Sequence, residues 1–132
     1  MMDERLLIDT CALLWLELEP QRIPVSVIQL LSNPQTRRFV SAAAVWEISI
    51  KWSKGKLSLP SPPDQFMKRV RSESILESLP VFESDALMAA RLPVLHTDPF
   101  DRLQICQAIE HSLTIVTPDP LIRQYAVRTI WD

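Results

Sequence analysis

The chain lacks a basic excess: 14 lysines and arginines stand against 16 aspartates and glutamates, a formal net charge of -2 over 132 residues. Nucleic-acid binders usually announce themselves as basic domains, so any such contact must come from a local patch and not from the overall field. Cysteine is scarce. Cys11 and Cys106 lie far apart with no metal-ligand spacing around them, which argues against a zinc site or a disulfide scaffold and suits a reducing compartment, hence the cytoplasm. The two histidines, His96 and His111, form no zinc pattern either, and both are expected to be structural or surface residues. Long apolar runs are also missing. Leu6 to Leu18 is interrupted by Asp9, follows the acids Asp3 and Glu4, and carries no small-residue cleavage site, so neither a signal peptide nor a membrane span is expected.

With 47% hydrophobic and 23% charged residues, the chain reads as one globular domain over residues 1–132 with a proper core. Residues 5–9 (RLLID) form an apolar run that ends on an acid, and CALLWLELE then shows leucines at helical spacing: strand, tight turn, helix. A short helix is expected over 24–32, opened by proline and stopped by Asn33-Pro34. RFVS (38–41) is a second strand, and Ser41 can cap the helix that follows, which Gly55, the only glycine, can end. LPSPP (59–63) forbids regular structure and precedes a helix over 64–74. A third strand falls around 77–79, and ESDALMAARL is helical, with Leu87, Ala90 and Arg91 in register. HTDPFDRLQICQAIEH opens on a proline and gives a strong helix. LTIVT (113–117) and VRTIW (127–131) are the last strands. Strands alternating with helices imply parallel pairing, hence an open α/β sandwich of about five strands with its site at the strand C-terminal ends.

Carboxylates occupy those ends. Asp9 closes the first strand, Asp119 follows LTIVT, and Glu47 and Asp101 fall early in two helices. Gathered in one cleft they would repel and raise each other's pKa unless a cation intervened, and magnesium or manganese takes oxygen ligands of this kind. Each has a structural alternative. Asp9 can be a helix cap, with Thr10 available for the same task. Glu47 can be a surface residue, although its neighbours one turn away, Ala43, Ala44, Ile50 and Lys51, are mostly small or apolar. Asp119 in T-P-D-P can be a turn residue. In D-P-F-D, Asp98 reads as the cap, with an i,i+4 partner in Arg102 and an auxiliary role at most, whereas Asp101 heads an apolar stripe with Ile105 and Ala108.

Other readings compete. A haloacid-dehalogenase-like phosphatase needs a second aspartate where Cys11 stands, and a receiver needs a late lysine where Thr117-Pro118-Asp119 has none. Cys11 at a helix start could serve a cysteine hydrolase with His96 or His111 as base, but no spacing links them. Arg37 and Arg38, then Lys51, Lys54 and Lys56, then Lys68, Arg69 and Arg71 are candidate RNA contacts or solvated helix faces. Trp15, Trp46, Trp52 and Trp131 read as core or interface residues before base-stacking ones.

The blocks LLIDTCALLW, VSAAAVWEISIKWSKGKL, LPVLHTDPFDRLQICQA, LTIVTPDP and VRTIW, in that order from Leu6 to Trp131, resemble PIN domains, and more narrowly VapC-type toxins of bacterial toxin-antitoxin pairs. The resemblance implies a PIN-like three-layer α/β/α sandwich with a short, mostly parallel sheet. It also implies magnesium- or manganese-dependent endoribonuclease activity, a homodimer, and a cognate VapB-type antitoxin that blocks the site. The family's acids map onto Asp9, Glu47, Asp101 and Asp119: Asp9 and Asp101 would hold the metal most directly, Glu47 would complete the shell or orient water, and Asp119 would support the metal or its waters. Cys11 departs from the pattern, because many relatives carry histidine there. The rival within the same fold is a non-catalytic PIN-like module that binds RNA or a partner protein.

Overall fold

The computed structural model describes residues 4–132. Five parallel strands, β1 (Arg5–Ile8), β2 (Arg37–Ser41), β3 (Leu76–Leu79), β4 (Thr114–Val116) and β5 (Thr129–Ile130), lie in the order β3-β2-β1-β4-β5. Among the described residues, six α-helices connect them: α1 (Thr10–Leu18), α2 (Val25–Leu31), α3 (Ala42–Ser53), α4 (Pro63–Ser74), α5 (Glu83–Ala89) and α6 (Pro99–His111). Short 3-10 turns at Pro20–Arg22 and Ile122–Gln124 are additions to the expected elements. Among the described residues, no helix is long and apolar enough to cross a membrane.

Strand alternation builds two cores. Side chains point to opposite faces in turn, so Leu6, Ile8, Val40 and Val116 join Leu13, Ile48, Phe66 and Val70 on one side of the sheet. Leu7, Phe39 and Ile115 join Ile105, Ala108, Ile122 and Tyr125 on the other. A sheet buried on both faces explains why its strands read as unbroken apolar runs, and the result is a three-layer α/β/α sandwich. The LPSPP connector ends one residue earlier than expected, because Pro63 tolerates the first helical position and opens α4. Gly55 ends α3 as foreseen. At φ +71° it closes a Schellman turn in which its N–H donates to the Trp52 carbonyl and the Lys56 N–H to that of Lys51.

The chain runs outward from β1 to β2 and β3, then returns to place β4 on the other side of β1. That reversal opens a crevice between the C-terminal ends of β1 and β4, where open α/β sheets bind ligands. Ile8 pairs with Val116, so the segments beginning at Asp9 and Thr117 leave the sheet side by side.

Candidate active site

Asp9 caps α1 and also lines a cleft. It is buried, and its Oδ1 accepts the Ala12 N–H at 2.7 Å, fixing the start of α1. Burial pushes its pKa up to about 6, against hydrogen bonds from Thr117 and Ala12 that lower it, and the charges of Asp119 and Glu47 add to the rise. Thr117, fully buried, accepts the Asp119 N–H at 3.0 Å on its hydroxyl as well as bonding Asp9, and so ties the two loops together.

Glu47 is only 4% exposed, on the face of α3 that also buries Ala43, Ala44 and Ile48. The small alanines let the neighbouring elements close around it, so the carboxylate is enclosed and is not a surface group. Its Oε2 accepts from Lys51 Nζ at 2.7 Å, while its Oε1 is buried with no hydrogen-bond partner. An unpaired buried carboxylate oxygen is costly and calls for a ligand.

Asp101 lies in the first turn of α6, its Oδ2 3.0 Å from His96 Nε2. Burial pushes its pKa up to about 7, helped by Asp98 and Glu47 and opposed by His96. Asp119 also combines its two readings: Oδ1 accepts the Leu121 N–H at 2.9 Å, forming the turn, and Oδ2 lies 2.9 Å from the same His96 Nε2. His96, Asp101 and Asp119 offer ligand atoms within 4.8 Å of one another.

Two sequence expectations need correction, and a third gains detail: His96, expected to be structural or on the surface, is buried and lies within the acid cluster. The signal was its place two residues before the capping Asp98, which pins the loop beside the start of α6; its Nδ1 accepts the Asp98 N–H at 3.2 Å. Asp98 does cap α6, accepting from the N–H groups of Phe100 and Asp101, but it forms no pair with Arg102. That guanidinium turns instead to the carbonyls of Ala89, Leu92, Pro93 and His96, because a connector with no regular structure leaves its carbonyls in need of donors. The apolar register read in α5 is reversed as well: Leu87 is exposed and Asp85 is buried, accepting the Phe82 N–H at 2.9 Å.

The acids line a cleft of about 500 Å³ together with Cys11, Leu14, Trp15, Lys51 and Asp98. The Cys11 thiol is pushed up to about 11 by burial and the charge of Asp9, the reverse of what a nucleophilic cysteine needs. Trp15 packs on Trp131, their ring centroids 5.8 Å apart, and both belong to the core periphery, whereas Trp46 and Trp52 are exposed. A second hollow of about 450 Å³, lined by Leu16, Ile28, Arg38 and Ile75, contains none of the candidate acids. Carboxylate oxygens, two of whose owners are held well above the ordinary range, and an orphaned Glu47 Oε1 make a donor set that fits a hard divalent cation.

An α/β/α sandwich whose switch-point crevice gathers acids from the β1–α1 junction, α3, α6 and the loop after β4 defines the class. The sequence matches the PIN domain family over residues 6–128, and the chain belongs to that family. Solved structures share the fold, among them these three. A chain of VapBC2 from Rickettsia felis, crystallised with a DNA fragment from its promoter, superposes with a TM-score of 0.72 at 17% identity, covering 97% of this chain and 99% of that one. A chain of FitAcB from Neisseria gonorrhoeae gives 0.62 at 20% identity, with 95% and 96% covered. One of VapBC-1 from nontypeable Haemophilus influenzae gives 0.64 at 16%, with 96% of each chain covered. No curated protein matches the sequence.

Proposed function

We propose that this chain is a metal-dependent endoribonuclease, the toxin of a toxin-antitoxin pair of the VapC kind, folded as one domain. The observation that carries the reading is Glu47: a glutamate 4% exposed with Oε1 unpartnered, in the same cleft as Asp9 and Asp101. A structural role leaves no reason to bury that oxygen unpaired beside two further acids. Asp9 and Asp101 would hold magnesium or manganese, with Glu47 Oε1 completing the set or orienting the attacking water. When bound, the cation supplies Lewis acidity, drawing off the negative charge that builds on a phosphate under attack. Asp119 and Asp101 both approach His96 Nε2, and that one imidazole holds the two carboxylates together. Thr117 holds Asp9 and Asp119 at a fixed separation.

The structural relatives are chains of VapBC and FitAB assemblies, which supports a cognate antitoxin as partner. Exposed Trp46, Leu87 and Val94 leave apolar surface for that partner and for a second copy in a homodimer. Unpaired Cys11 and Cys106 suit the cytoplasm. The test is incubation of a mixed structured RNA pool with purified protein, in magnesium, manganese or chelator, beside Asp9→Asn. Metal-dependent cuts absent from the variant support the nuclease; a folded, antitoxin-free protein that cuts nothing in any metal favours the non-catalytic module.

A further inference from the structure

Five carboxylates line the cleft, from Asp9, Glu47, Asp98, Asp101 and Asp119, and one cation among the described residues, Lys51. An RNA strand carries a charge on every phosphate, and a wall of acids repels it unless fixed positive charge meets it at the rim. Lys51 is placed for that. Its Nζ lies 2.7 Å from Glu47 Oε2, yet 49% of its side chain is exposed, and an ammonium with three donors directs only one of them at a single carboxylate oxygen.

The α1 wall offers a second cation. Trp15 lines the cleft, and the Arg22 guanidinium lies 3.9 Å above the Trp15 ring centroid. The Arg22 side chain is 48% exposed, and its contact with Glu19 is long, at 3.5 Å. Stacking fixes the plane of the guanidinium while leaving N–H groups at its edge for a phosphate. The reacting acids are recessed, Asp9 being 2% and Glu47 4% exposed, so the phosphate must enter the cleft, which an unpaired strand does more readily than a duplex.

Resting on the nuclease reading above, we propose that Lys51 and Arg22 form a two-point grip on the backbone of single-stranded RNA, each taking a phosphate, with Trp15 holding Arg22 flat at the rim. Such a grip positions the strand over the acids without reading its sequence.

The test is anisotropy of a fluorophore-labelled single-stranded RNA oligonucleotide with Asp101→Asn protein in magnesium, over a salt series. Lys51→Ala and Arg22→Ala should each weaken binding about tenfold at low salt, on any sequence, and each should lower the slope of log affinity against log salt by about 0.7. Lys51→Arg should keep the slope. Arg22 is a surface residue, so its variant decides the matter should Lys51→Ala fail to fold. Unchanged slopes, or a parent protein that binds no RNA, overturn the grip. Cleavage by the otherwise wild-type protein, measured in parallel, separates the two ideas: cutting with unchanged slopes removes the grip and keeps the nuclease, whereas lowered slopes without cutting do the opposite.

Discussion

His96 Nε2 lies 2.9 Å from Asp119 Oδ2, joining the loop before α6 to the loop after β4. The same nitrogen is 3.0 Å from Asp101 Oδ2, so one imidazole sets the position of two acids contributed by distant parts of the chain. Removing it should loosen both. His96→Ala is expected to weaken metal binding, and so raise the metal concentration that cleavage requires, about 10- to 100-fold, as losses of groups that orient metal ligands do. Magnesium titration of the cleavage rate measures this; an unchanged half-saturating concentration would return His96 to a purely structural role.

Stability should depend on pH in a direction set by Asp9 and Asp101. Both are held above the ordinary value of 3.8, at about 6 and about 7. In that range the folded chain keeps protons that the unfolded chain has already released. Their contribution therefore favours the fold fully below about pH 4 and is lost as pH rises through 6 and 7. Metal-free protein is expected to show a thermal midpoint that declines across this window relative to Asp9→Asn, and magnesium should restore more stability at pH 8 than at pH 5. Parallel melting curves for the two proteins would fail this expectation.

Asp101→Asn separates catalysis from folding. Because it relieves a crowded charge, the metal-free variant should melt no lower than the parent at pH 8, while cleavage falls to background. Its melting curve and its cleavage in magnesium check the two halves. Normal turnover would leave Asp101 with a structural part alone.

Arg102 should be a stability residue and not a catalytic one. Its guanidinium reaches the carbonyls of Ala89 at 2.6 Å, Leu92 at 3.0 Å and His96 at 3.0 Å, pinning the loop that delivers His96. Arg102→Ala, which loses several charge-assisted bonds to carbonyls left in need of partners, should cost about 2–4 kcal/mol. Lysine cannot span the same fan of acceptors, so Arg102→Lys should recover little of the loss. Urea unfolding of both variants measures it, and a loss under about 1 kcal/mol would contradict the role.

That these acids would meet in one cleft was legible because each sits where local sequence already constrains it. Asp9 ends an apolar strand run, Glu47 keeps company with alanines on one helix face, and Asp101 heads the stripe of Ile105 and Ala108. Asp119 was weaker, a turn residue on local grounds, since nothing within T-P-D-P says what stands opposite. His96 and Thr117 were missed for the same reason: a histidine before a cap and a threonine after a strand carry no periodic signal, and their importance comes from partners 23 residues away in one case and in the neighbouring strand's loop in the other. The Asp98–Arg102 pair failed because helical spacing makes two residues neighbours but does not set their competition, and backbone carbonyls of the preceding connector took the guanidinium.

The sequence by itself determined the order of strands and helices, the parallel sheet and the end of that sheet at which acids collect, because apolar periodicity, prolines, one glycine and helix caps act over a few residues. Only the tertiary structure decided which oxygens are satisfied and which are left over. It placed β4 beside β1, set Thr117 against Asp9, set His96 between Asp101 and Asp119, and left Glu47 Oε1 without a donor. Those outcomes depend on burial and on competition among groups far apart in the chain, and desolvation, which governs both, exists only once the chain has packed.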